Sequence, residues 1–175
     1  MKKEKLPNIF LVDDNKIYLD TLEHSLKQKL KNRVDLKTFS TGEECLKELK
    51  LNPPSIVILD YYLNSVSKNA ADGLKILESI KMQKSDAQVI MLSSQEKLDV
   101  AASSIKLGAF DYVIKNESSF FRITNLVNLI IHNLYLESEI KKRRIRNSTI
   151  ISLYLIFFMI LFYYLKSHGF HFESF

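Results

Sequence analysis

The chain has 175 residues, 46% of them hydrophobic, and a formal net charge of +5. That length suits one domain with a real core plus an appendage, and the lone cysteine, Cys45, excludes an internal disulfide framework and fits a reducing compartment. The charge excess equals the five basic residues Lys141, Lys142, Arg143, Arg144 and Arg146, which argues against a basic, nucleic-acid-binding body.

Residues 1–8 carry three lysines but no apolar run long enough for a signal peptide. Ile9-Phe10-Leu11-Val12 is a short apolar run that ends in Asp13-Asp14. Ile17, Leu19, Leu22, Leu26 and Leu30 then follow helical spacing, predicting an amphipathic helix over about 15–30. Val34 to Phe39 alternates as a strand does. Ser40 or Thr41 caps a second helix with Glu43 and Glu44 in its first turn, and Asn52-Pro53-Pro54 stops it.

Ile56-Val57-Ile58-Leu59 runs straight into Asp60. A run so short and continuous is expected as a strand buried on both faces of a parallel sheet. Residues 61–72 are small and polar and predict a loop. Asp72-Gly73 precede a third helix, Leu74 to Met82, with Leu74, Leu77 and Ile80 on one face. Val89-Ile90-Met91-Leu92 is a fourth strand ending at Ser93-Ser94. Leu98 to Leu107 is a fourth helix closed by Gly108, and Asp111 to Lys115 a fifth strand. A long helix begins near Ser118 or Ser119, with Ile123, Val127, Ile130 and Leu134 as its apolar stripe, and its pattern extends towards the basic residues at 141–146.

Strands alternating with helices five times predict an α/β fold, a parallel sheet wrapped on both faces. Taken singly, Asp13-Asp14 suit a helix cap, Asp60 a turn, Lys115 a solvated charge and Tyr112 a core aromatic. Taken together, Asp13, Asp14, Asp60, Ser93 and Lys115 all stand at strand ends, the rim where open α/β sheets bind ligands. Crowded carboxylates stay ionised only beside a cation or hydrogen-bond donors, and hard oxygen ligands with room for water suit Mg²⁺. A hydroxyl and an ammonium suit the oxygens of an incoming anion. The set points to phosphoryl transfer onto a carboxylate, Asp60.

Over residues 9–135 the sequence resembles the receiver domain of two-component response regulators. The pieces that carry the resemblance are Leu11-Val12-Asp13-Asp14-Asn15, Val57-Ile58-Leu59-Asp60, Met91-Leu92-Ser93-Ser94 and Gly108-Ala109-Phe110-Asp111-Tyr112-Val113-Ile114-Lys115. The resemblance implies a five-stranded, doubly wound sheet of flavodoxin-like order. It implies that Asp60 accepts a phosphoryl group from a histidine kinase or phosphotransfer protein, and that the chain is a phosphoacceptor, not a conventional enzyme. By position it implies Mg²⁺ on Asp14 directly, on Asp13 through water, on Asp60 and on the backbone carbonyl of Tyr62. Ser93 and Lys115 would contact the phosphoryl oxygens, and Tyr112 would turn inward as Ser93 moves. The phosphoryl group would bias the face of the fourth helix, fifth strand and fifth helix, which is also a possible homodimer surface. Moving a 1:99 population to 99:1 takes ~5.5 kcal/mol, within reach of a few charge-assisted hydrogen bonds.

The sequence departs from that family in places. Asp60 is 13 positions before Gly73, a longer loop than is usual. Asn116 follows the lysine where the family commonly has a cis proline, so a trans bond is expected, since cis costs ~2.5–4 kcal/mol before a non-proline residue. Tyr62 and Gln95 are expected to crowd the attacking water and slow dephosphorylation.

After a basic stretch at 136–146, residues 147–165 hold 19 residues without a charge. As a helix they span roughly 28 Å, near the ~30 Å of a hydrocarbon core. Tyr163 and Tyr164 suit an interface, and the basic residues before the span place the receiver side in the cytoplasm. The expectation is a single-pass anchor in the cell membrane in place of an output domain, contacting lipid and not nucleic acid, with a short tail, 166–175, outside. The alternatives are a degenerate receiver serving as an unphosphorylated membrane scaffold and, less favoured, a phosphatase with an aspartyl nucleophile. The latter lacks its usual second aspartate because Tyr62 stands there.

Overall fold

The computed structural model describes residues 6–31, 33–63, 72–95 and 97–167. Most of the long loop after Asp60, residues 64–71, and the end of the C-terminal tail, 168–175, lie outside the described residues.

Five strands, β1 (Asn8–Val12), β2 (Asp35–Phe39), β3 (Ile56–Asp60), β4 (Gln88–Ser93) and β5 (Asp111–Ile114), alternate with α1 (Lys16–Lys29), α2 (Gly42–Leu51), α3 (Gly73–Gln83), α4 (Leu98–Lys106) and α5 (Ser119–Ser167). All pairings are parallel, in the order β2-β1-β3-β4-β5, the flavodoxin-like arrangement expected. The order reverses between β1 and β3, and the crevice beyond that switch point is where such sheets take ligands. Val12 is level with Leu59, Asp60 with Leu92 and Ser93 with Ile114, so the functional strand ends finish close to one line.

Burial explains why the short apolar runs became central strands. Every residue of β1 and β3 is buried, as is β4 from Val89 onward. Phe10, Leu59, Leu77, Ile80 and Met91 share one core cluster with Cys45 and Leu49.

The helices begin where the sequence signals placed them. Asn15 Oδ1 accepts from the Tyr18 amide at 3.1 Å, Thr41 Oγ1 from Glu44 at 3.3 Å and Asp72 Oδ1 from Lys75 at 3.0 Å. Thr41, not Ser40, is therefore the cap of α2. Gly108 closes α4 with φ 92, the left-handed conformation that favours glycine. Two side chains fall elsewhere than the spacing predicts. Ile17 is 80% exposed. It precedes Leu19 by two positions, about 200° round a helix, and so faces away from the sheet. Ile76 is buried along with Leu77 and Ile80, while Leu74 is half-buried. The start of α2 covers Ile76: a Cβ on Gly42 would collide with its side chain.

The chain forms two compact units, Met1–Ile131 and His132–Phe175. The expected 4-3-4 stripe on α5 is buried at Ile123, Val127 and Ile130 and only half-buried at Leu134. The helix does not stop at the basic cluster. It runs for 49 residues, and residues 136–146 and 147–165 are parts of one element.

Candidate functional site

The site stands at the carboxyl ends of β1, β3, β4 and β5. β1 delivers Asp13 to the rim, buried, with its amide donating to Phe39 O at 3.2 Å. Asp13 Oδ1 accepts the Asn15 amide at 2.9 Å. β3 delivers Asp60, also buried. One oxygen from each of Asp13, Asp14 and Asp60 can lie within 4.8 Å of the others.

Lys115 follows β5 directly. Its amide donates to Ser93 O at 2.7 Å, fixing the backbone to β4. Its ammonium is 2.5 Å from Asp13 Oδ2 and 3.0 Å from Asp60 Oδ1. No peptide bond among the described residues is cis, so Asn116 is joined in trans as expected, and Lys115 still reaches the acidic pair.

Burial is the largest influence on Asp60 and pushes its pKa up to about 7. Lys115 opposes it, and the Asp13 and Asp14 charges reinforce it. Burial also works to lower the Lys115 pKa, but Asp60 and Asp13 outweigh it and the net shift is upward. The lysine is thus a fixed cation. Asp60 Oδ1, although near that cation, is buried and lacks an aligned hydrogen bond. Clustered carboxylates with such an oxygen fit a hard divalent cation such as Mg²⁺.

A glycine sets the wall of the site. A Cβ on Gly73 would come within 2.5 Å of Asp60 O and 2.7 Å of Tyr61 Cα. The Gly73 amide donates to Tyr61 O at 2.9 Å, so α3 starts directly against the backbone that carries Asp60.

The remaining expected residues gather around Gln95. Ser93 Oγ donates to Gln95 O at 3.0 Å and accepts the Gln95 amide at 3.2 Å. Tyr112, expected to turn inward as Ser93 moves, is already buried here, and its hydroxyl donates to the same Gln95 carbonyl at 3.0 Å. Tyr62 enters through its side chain: its hydroxyl donates to Gln95 Oε1 at 3.2 Å, and its ring packs edge-on against Tyr61. The structure thus brings Asp13, Asp14, Asp60 and Lys115 together. Ser93, Tyr112 and Tyr62 form a second group centred on one loop residue. Sequence reasoning missed Tyr18, whose ring lies beneath Lys115. Its placement in the first turn of a helix that follows an acidic pair was the available signal.

A family model for the response regulator receiver domain matches residues 9–128. The chain belongs to this family. Among curated relatives, a putative NtrX-like response regulator of Rickettsia felis is 33% identical over 108 residues, covering 62% of this chain and 22% of that protein. The similar protein of Rickettsia bellii is 31% identical over 153 residues, covering 83% of this chain and 31% of its own length. PhoP of Bacillus subtilis, an alkaline phosphatase synthesis transcriptional regulatory protein, is 28% identical over 107 residues, covering 61% and 41%. The receiver chain therefore spans less than half the length of these relatives. Among solved structures, the BeF3-activated DrrB receiver domain of Thermotoga maritima superposes with a TM-score of 0.61 at 26% identity, covering 73% of this chain and 99% of that one. NtrX from Brucella abortus gives a TM-score of 0.67 at 25% identity, covering 79% and 29%. Receiver domains are phosphoacceptors of two-component systems. They bind Mg²⁺ through acidic residues and interact with histidine kinases or phosphotransfer proteins.

Proposed function

We propose that this receiver takes a phosphoryl group on Asp60 from a histidine kinase or phosphotransfer protein and does so at a membrane. One observation carries the first half: a buried carboxylate shares its cup with two others and one fixed ammonium.

In this reading Asp13, Asp14, Asp60 and the carbonyl of Tyr62 would hold Mg²⁺. The ion, when bound, supplies positive charge that favours ionised Asp60 and offsets the phosphoryl oxygens. Asp60 attacks phosphorus as the donor's phosphorus–nitrogen bond breaks, leaving an acyl phosphate on the side chain. Lys115 then turns from the Asp60 carboxylate to a phosphoryl oxygen. The Ser93 hydroxyl leaves Gln95 for another, while Tyr112 keeps its bond to the Gln95 carbonyl. The new contacts bias the face of α4, β5 and α5 towards a partner, a second copy of the chain included.

The second half rests on α5. Among the described residues it is the one helix long and apolar enough to cross a membrane, with a window of mean hydropathy 2.1, none of it buried in the protein. Residues 147–165 form the span in this reading, the basic residues 141–146 meet anionic headgroups, and the receiver is cytoplasmic.

The test is incubation of membranes carrying the full chain with acetyl phosphate and Mg²⁺. Acid-stable, base-labile phosphate is expected on the wild type and absent from Asp60→Asn. The chain is expected in the pellet after alkaline carbonate extraction. An unlabelled wild type that still pellets favours the scaffold alternative, and a labelled chain in the supernatant removes the anchor.

A further inference from the structure

Lys115 has neighbours that phosphoryl chemistry alone does not require. Its ammonium lies 4.5 Å from the centroid of the Tyr18 ring. That ring stacks on Phe120, with centroids 5.2 Å apart and planes at 26°. The Tyr18 hydroxyl is buried near Ser119, and neither oxygen has an aligned hydrogen-bond partner. Towards Lys115 the phenol presents its face, not its hydroxyl. Burial holds the Tyr18 pKa above its usual range, against the opposing pulls of Ser119 and Lys115, so the lysine meets a neutral ring and not a phenolate.

A lysine ammonium rides on a flexible four-carbon stem. Two carboxylates draw this one towards the cup. The residue behind it is Asn116 in trans, with no proline ring to stiffen the backbone. The negative face of an aromatic ring supplies a further attraction for a cation. Phe120 backs that ring from the first turn of α5. When Asp60 becomes an acyl phosphate, the charge that Lys115 faces is rearranged, whereas the ring carries no formal charge for the phosphoryl group to alter.

We propose that Tyr18 is a positioning residue for Lys115, its ring face holding the ammonium at the rim where it meets the phosphoryl oxygens. The proposal rests on the phosphoacceptor reading of Asp60. The test uses the full chain in detergent with acetyl phosphate and Mg²⁺, and reads the rate of phosphate uptake. Tyr18→Phe retains the ring and is expected within about twofold of wild type. Tyr18→Leu is expected to be roughly tenfold slower, the rate equivalent of one partly desolvated cation–ring contact. Phenylalanines carrying increasing numbers of fluorines at position 18 weaken the ring face at nearly constant volume, and their rates are expected to fall in order. Equal rates across that series overturn the proposal.

Acylation of Lys115 by an amine-reactive ester, followed by mass spectrometry, gives a second readout independent of phosphate. It is expected to be faster in Tyr18→Leu than in wild type or Tyr18→Phe, and indistinguishable rates overturn the proposal. A wild type that takes no phosphate but shows this lysine ordering removes the phosphoacceptor reading while the positioning role stands.

Discussion

β3 and the later half of α5 are built from the same kinds of side chain and meet opposite surroundings. Ile56 to Leu59 are at most 1% exposed, enclosed by neighbouring strands and by helices. Leu155, Phe157 and Phe158 are each 60% exposed or more. Apolar composition therefore does not say what covers a segment. In β3 the cover is the chain itself, and burial is what brings a carboxylate to a fixed place at the strand end. In α5 no described residue covers the apolar window, and in our reading the bilayer does.

The largest contrast is expected from placing one charge in each region. Leu59→Lys buries an unpaired ammonium and should prevent folding, a cost of at least about 4 kcal/mol. Far-ultraviolet circular dichroism and protease resistance would read it. Leu155→Lys should leave the melting of the receiver unit unchanged. It should weaken carbonate-resistant membrane retention, since a lysine near the centre of a span costs ~2.5–3.5 kcal/mol. Equal losses of folding in both variants would break the contrast.

The next effect concerns the carboxylate that the buried strand presents. With its pKa pushed up to about 7, Asp60 is protonated in both folded and unfolded chains below about pH 4. As pH rises from about 4 to about 7 the unfolded chain ionises while folded Asp60 stays neutral, so the stability associated with the neutral acid falls, and the loss is complete once the folded chain too must hold a buried anion. In chelator, wild type should lose up to about 4 kcal/mol relative to Asp60→Asn between pH 4 and 8. Denaturant melts at the two pH values measure it, and a gap that does not vary with pH would mean that Asp60 is not the source.

A smaller effect should follow from Gly73→Ala. The added methyl meets the backbone of Asp60 and Tyr61, so α3 must shift. A loss of ~1–3 kcal/mol is expected, together with slower phosphate uptake. Unchanged uptake would show that the wall and the nucleophile move independently. The smallest effect is expected from Tyr62→Ala. It removes the bond to Gln95 and opens space for water beside the site. The acyl phosphate should then hydrolyse roughly threefold to tenfold faster, which loss of radiolabel from the washed protein would report.

These contrasts also mark what the sequence made legible. β1, β3 and β4 are buried on both faces, so their apolar runs are uninterrupted and bounded. Strand ends are where such runs stop, which made Asp13, Asp14, Asp60 and Lys115 visible as a group. The α5 stripe was legible as far as Ile130 because burial along one face forces the helical period. Ile17 was misplaced because an apolar residue counts towards a pattern even when it points to solvent. Tyr18 left only its place after the acidic pair as a signal, and the Gln95 carbonyl left none. The one acts through a ring face and the other through main-chain atoms, and neither has a residue-type signature.

The shared carbonyl of Gln95 has a consequence for how sharply the protein can respond. A carbonyl oxygen offers two lone pairs, here occupied by two hydroxyls. One guest can depart and the host keeps the other, so the Ser93 hydroxyl can be released while Tyr112 still ties the loop to β5. The loop is built like a doorway with two latches, one of which can be lifted while the other keeps the frame from sagging.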